Sequence, residues 1–221
     1  MIISRGRRYI FVHIPKTGGT ALSLALEARA MADDILIGDT PKAVKRRGQV
    51  KKLAAAGRLW KHSMLADIEG VVARSDLDSL FTLTLVRNPW DRTVSYYHWL
   101  RAQTWDHAAV RLAKAVDFTT FLNDPATLSA LSVPYGAYMR DGAGVERATL
   151  FARIEALDTD LAPFWSHVGF DLSPVGRANA SDRARDFRPY YSDADAETLG
   201  RVAAEDIARF GYSFESFAPQ M

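Results

Sequence analysis

Apolar residues in this chain fall into short runs, each followed by a polar turn and a stretch of helical period. Tyr9 to Ile14 (YIFVHI) is rich in β-branched and aromatic residues and predicts a buried strand. The turn-forming segment Pro15-Lys16-Thr17-Gly18-Gly19-Thr20 comes next. Ala21 to Ala32 then has helical composition, with Leu22, Ala25 and Leu26 on one face. Leu80 to Val86 (LFTLTLV) predicts a second strand, ending at Arg87-Asn88-Pro89-Trp90-Asp91. Asn88 suits an N-cap and Pro89 a first helical position, so a helix is expected from Trp90 to Gln103. Thr149 to Ile154 predicts a third strand, followed by a helix over Leu157 to Val168 that Gly169 can stop. A last helix is expected from Ser192 to Phe210, with Asp193 and Asp195 favouring its dipole and Gly211 ending it. In between, Phe118 to Asn123 predicts a short helix and Asp141-Gly142-Ala143-Gly144 a loop.

Repeated strand, turn and helix is the pattern of an α/β protein with helices packed on a mainly parallel sheet. No internal repeat, low-complexity tract or linker interrupts it, so the expectation is one domain over residues 1–221. That length is enough to bury a substantial core. Hydrophobic residues make up 48% and charged residues 24%, which excludes a disordered or fibrous chain. No run approaches the roughly 20 apolar residues of a membrane span. The apolar segment Tyr9 to Val12 is too short for the core of a signal peptide. The chain is therefore expected to start inside the fold, with the cytoplasm as the default location. Cysteine is absent, which excludes disulfides, thiolate metal sites and cysteine nucleophiles.

Net charge is +2, too small to predict nucleic-acid binding. Its distribution says more. Between Thr40 and Ala66 there are eight basic residues (Lys42, Lys45, Arg46, Arg47, Lys51, Lys52, Arg58, Lys61) and no acid. Such a stretch attracts phosphates, sulfates or uronates, or forms a solvated helix face. Aromatics are not interleaved in it apart from Trp60, which argues against a nucleic-acid surface.

Two segments carry candidate chemistry. In Pro15 to Thr20, glycines between a strand and a helix let backbone N–H groups approach an anion at a positive helix end. Lys16 adds a full charge, and Thr17 and Thr20 add hydroxyls. The order is not that of a Walker A loop, whose lysine follows the glycines, so a nucleotide triphosphatase is disfavoured. A tight turn with an incidental lysine is the other reading. In the second segment, Arg87 stands at the carboxyl end of a strand, where ligands collect in open α/β sheets, and arginine grips phosphate through two parallel hydrogen bonds. Ser95 on the following helix adds a hydroxyl. Alternatively Arg87 pairs with Asp91 and Ser95 is packing.

Together these segments resemble the sulfotransferase superfamily that uses 3′-phosphoadenosine 5′-phosphosulfate (PAPS), in the branch of carbohydrate sulfotransferases and their bacterial relatives. His13-Ile14-Pro15-Lys16-Thr17-Gly18-Gly19-Thr20 is similar to its 5′-phosphosulfate loop. Leu85 to Tyr97 (LVRNPWDRTVSYY) is similar to its 3′-phosphate segment. Lys61-His62-Ser63-Met64-Leu65-Ala66 falls where the family places its catalytic histidine. Asn179-Ala180-Ser181, Pro189-Tyr190-Tyr191 and Asp206 to Tyr212 fit its C-terminal part.

The resemblance implies a three-layer α/β/α fold related to the P-loop nucleotide hydrolases. It implies in-line transfer of a sulfuryl group from PAPS to an acceptor hydroxyl, on a carbohydrate or glycoconjugate, without a metal. His62 would be the base, with His13 the weaker alternative. Pro15, Lys16, Thr17, Gly18, Gly19 and Thr20 would hold the 5′-phosphosulfate, and Arg87 and Ser95 the 3′-phosphate. Arg183, Arg185 and Arg188 would close over the donor or face water. The basic stretch would guide an anionic acceptor, with Lys45, Arg46 and Arg47 foremost. A phosphate-loop kinase and a non-catalytic binder of nucleotides or acidic glycans are the competing classes.

Overall fold

The computed structural model describes residues 1–176, 178 and 183–216. In chain order the strands are β1 (Ile2–Ser4), β2 (Tyr9–Val12), β3 (Ile35–Leu36), β4 (Phe81–Val86) and β5 (Leu150–Arg153). The helices begin with α1 (Gly19–Ala28), α2 (Pro41–Val50), α3 (Arg74–Leu77) and α4 (Pro89–Arg101). They continue with α5 (Ala108–Ala115), α6 (Phe118–Leu122), α7 (Pro125–Leu131), α8 (Leu157–Asp160) and α9 (Ala162–Val168). The last are α10 (Asp193–Val202) and α11 (Ala204–Phe210). The chain forms two compact units, Met1–Val86 with Tyr135–Asn179 and Arg87–Pro134 with Ala180–Met221.

The first unit is built on a five-stranded sheet of order β3-β1-β2-β4-β5. β2, β4 and β5 run parallel, while β1 is antiparallel to both of its neighbours, so the sheet is mixed. Successive side chains leave opposite faces. Tyr9 and Phe11 join Leu22 and Leu26 of α1 and Phe164 and Trp165 of α9 in one core. Ile10 and Val12 join Leu65, Ile68, Val71, Val72 and Met139 in another. Burial on both faces explains why β2 reads as a continuous apolar run rather than an alternating one. Each large side chain removed from water here contributes about 1.5–3 kcal/mol.

The second unit is helical. Trp90, Val94 and Tyr97 of α4 pack with Val110 of α5, Phe121 of α6 and Leu199 of α10. The Tyr97 hydroxyl donates to the carbonyl of Val116 at 2.8 Å, so the buried phenol keeps a partner.

Three expected elements are altered. The helix expected over Ala21 to Ala32 starts at Gly19 and ends at Ala28, because the Asp34 carboxylate takes the Met31 N–H at 2.8 Å and turns the chain. The helix expected over Leu157 to Val168 breaks between α8 and α9 where Pro163 removes a ladder donor. The last helix breaks at Ala203, which leaves helical geometry (φ −104°, ψ 21°).

Candidate active site

The loop after β2 is shaped by its own short-range bonds. Thr17 is fully buried and its hydroxyl donates to the Ile14 carbonyl at 2.9 Å, so this hydroxyl holds the turn. Lys16 takes φ +66° and Gly18 φ +85°, the left-handed region that a tight reversal needs. Gly18 is also the N-cap of α1. No side chain caps this helix, and no acid lies in its first turn. Such a positive helix end suits an anion.

Both glycines are required for space as well. A Cβ on Gly18 would lie 2.3 Å from Ile154 Cδ1, and one on Gly19 would lie 2.2 Å from Cδ2 of His13. The His13 imidazole is thus laid directly on the Gly19 backbone. Gly19→Ala is expected to displace that ring and destabilise the protein by about 1–3 kcal/mol, the usual cost of overpacking. Thermal unfolding measures it, and an unchanged melting temperature would mean that the ring does not sit there.

His62 meets the same ring. The two imidazoles are edge to face with centroids 4.7 Å apart, and Nδ1 of His62 donates to the His13 carbonyl at 2.8 Å. That bond assigns the proton to Nδ1 and leaves Nε2 of His62 as the basic nitrogen. Trp60 packs edge to face against His62 at 5.0 Å. Buried Ser63 fixes this segment, accepting the Trp60 N–H at 2.9 Å, while its hydroxyl faces the Arg58 and Trp60 carbonyls at 2.9 Å each. Burial lowers the pKa of His62 to about 4, against the opposing pull of its bond to the His13 carbonyl. Burial also holds His13 well below the ordinary imidazole range. Both rings are neutral at pH 7.

In the second unit, the Asn88 side chain caps α4 by accepting the Trp90 N–H at 3.0 Å. Arg87 grips one carboxylate oxygen of Asp91 through Nε at 2.8 Å and a terminal nitrogen at 2.7 Å. The other Asp91 oxygen accepts from Arg183, whose side chain is 7% exposed. One carboxylate therefore orients two guanidinium groups. Ser95 is buried one turn further along α4. The sequence alternative that Arg87 pairs with Asp91 is what the structure has, and it leaves Arg87 aligned rather than neutral packing. Of the three arginines after Asp182, Arg183 joins Asp91, whereas Arg188 is paired with Asp186 at 2.7 Å. Asn179-Ala180-Ser181 lies outside the described residues.

The basic stretch divides by task. Lys42 donates to the Glu27 carbonyl, and Arg46 donates to the carbonyls of Met31 at 2.7 Å and Asp34 at 3.1 Å. These two cations brace α2 against the end of α1 and the turn after it. Lys61 pairs with Asp39 at 2.7 Å. In the first unit Gly19 of the 5′ loop thus meets His13, and His13 meets His62; in the second Arg87 and Arg183 meet at Asp91, with Ser95 on the same helix as Asp91. The Arg87–Asp91 pair is four residues apart and was open to the sequence, whereas the contact of Arg183 with Asp91 and the bonds of Ser63 had no signal there.

No family model matches the chain, and no curated protein matches it. Among solved structures, that of mouse sulfotransferase SULT7A1 complexed with PAP is similar, with a TM-score of 0.56 at 16% identity. The match covers 93% of this chain and 85% of the mouse chain. Likeness at that identity speaks for architecture. The five-stranded sheet and its flanking helices form the three-layer α/β/α sulfotransferase fold.

Proposed function

We propose that this protein is a sulfotransferase that moves a sulfuryl group from PAPS to an acceptor hydroxyl, with residues 1–221 acting as one domain. The observation that carries the reading is the His13 ring, which touches both the Gly19 backbone and the His62 ring. A base and an anion-binding loop are thereby neighbours in one rigid packing arrangement. Fold likeness to a sulfotransferase complexed with PAP supports the same reading.

His62 Nε2 takes the proton of the acceptor hydroxyl as that oxygen bonds to sulfur, and later releases it to solvent. Lys16 and the amides of Gly18, Gly19 and Thr20 face the negative charge that grows on the 5′-phosphate as the sulfur–oxygen bond to PAP breaks. Arg87, oriented by Asp91, and Ser95 hold the 3′-phosphate. Pro15 and Thr17 shape the turn. His13 is the spacer that seats His62, and its deeper burial makes it the poorer base. The acceptor is assigned to the carbohydrates and glycoconjugates, and the working compartment to the cytoplasm. No described helix is long and apolar enough to cross a membrane.

The test is calorimetric titration with PAP. Wild type is expected to bind, and Arg87→Ala to bind at least about tenfold more weakly, the loss of one or two charge-assisted bonds. Failure of the folded wild type to bind PAP would refute the assignment.

A further inference from the structure

A cavity of about 650 Å³ opens between α2 and residues 53–61. That is the size that takes a one- or two-ring molecule. Its floor is apolar, from Leu36, Ile37, Val50 and Leu53. Its rim carries Arg47, Lys51, Arg58 and Lys61, with Asp39 as the one lining acid. Asp39 is already taken by Lys61 at 2.7 Å, whereas among the described residues none of Arg47, Lys51 and Arg58 has a carboxylate partner. Three uncompensated cations over an apolar floor are an electrostatic demand for an anion joined to an apolar body.

Two lining residues connect the cavity to the base. Trp60 and Lys61 line it and immediately precede His62. Trp60 is 44% exposed, its ring packs on the His62 edge, and the Arg58 guanidinium lies 5.7 Å from the same ring. A ring seated beside Trp60 would have its anionic group near Arg58 and a hydroxyl on the His62 side.

We propose that this cavity is the acceptor site and that it selects a ring-bearing alcohol carrying a carboxylate, sulfate or phosphate. The proposal rests on the sulfotransferase reading for the reaction, but its binding chemistry stands on the cavity alone. The probes are 4-nitrophenyl β-glucuronide and 4-nitrophenyl β-glucoside, which share rings and hydroxyls and differ by one carboxylate. Their affinities for the full-length protein, followed by Trp fluorescence, are compared with those for the triple variant Arg47→Gln, Lys51→Gln, Arg58→Gln. All three residues are exposed, so the substitutions leave the core untouched.

The glucuronide is expected to bind wild type about tenfold more tightly or better, as one charge-assisted contact provides. That preference should shrink with added salt and vanish in the triple variant, with PAP affinity unchanged. Equal affinity of the two glycosides for wild type, no binding of either at millimolar concentration, or a preference that survives in the triple variant would each overturn the proposal. PAP titration on the same samples separates the two claims. A glucuronide preference without PAP binding would sink the donor reading and leave the cavity assignment standing.

Discussion

His62→Ala is expected to lower kcat for sulfuryl transfer by about 10²–10⁴-fold, the usual worth of a general base, while PAP binds as before. The separation follows from geometry. His62 bonds to the His13 carbonyl through Nδ1 and touches the His13 ring, but none of its bonds goes to the loop amides. Burial lowers its pKa to about 4. Activity limited by this base should therefore stay level from neutral pH down to about 5 and fall below that, as the imidazole gains its proton. Stability carries the same sign. The unfolded imidazole titrates near 6.5 and the folded one near 4, so the unfolded chain binds more protons between them. The contribution of His62 to stability is complete above pH 6.5 and is lost as pH falls towards 4. Turnover of His62→Ala equal to wild type, with the acid limb still in place, would remove the histidine from the mechanism and favour a different base.

Lys16→Ala is expected to cost about 10²–10³-fold in kcat, comparable to removing one donor from an oxyanion site. The backbone holds Lys16 at φ +66°, inside the turn that Thr17 locks to Ile14, so its ammonium is offered from a constrained position. Alanine at the same φ keeps the left-handed strain, and the change therefore reports on the charge rather than the turn. Lys16→Arg should recover part of the activity at most, because a planar fork does not replace a compact ammonium. Stopped assays at saturating donor and acceptor separate kcat from KM. A rise in donor KM with kcat preserved would make Lys16 a binding residue alone.

Much of the candidate site was readable before folding was considered, because its parts are contiguous. The run from His13 to Thr20 contains strand end, turn, lysine and helix start within eight residues, and each reports through local preference. Asn88 and Pro89 likewise mark the start of α4 without any tertiary partner. The strands β1 and β3 escaped notice. With three and two residues they are too short to show a period, and pairing with β2 and with each other is what makes them strands. The break in the final helix at Ala203 has no proline beside it, and Gly200 stays inside α10.

Sequence by itself determined the α/β pattern, the glycine turn with its lysine, the arginine at the end of β4 and the local excess of positive charge. These follow from residue chemistry acting over a few neighbours. Tertiary structure alone decided that His13 touches both Gly19 and His62, that Asp91 joins Arg183 to Arg87, and that Arg46 braces a helix while Arg47, Lys51 and Arg58 border a cavity. Each of those outcomes is a contact between residues distant in sequence, or a choice between partners of equal chemistry. Burial and distance in the folded chain set such choices, and no local rule contains them.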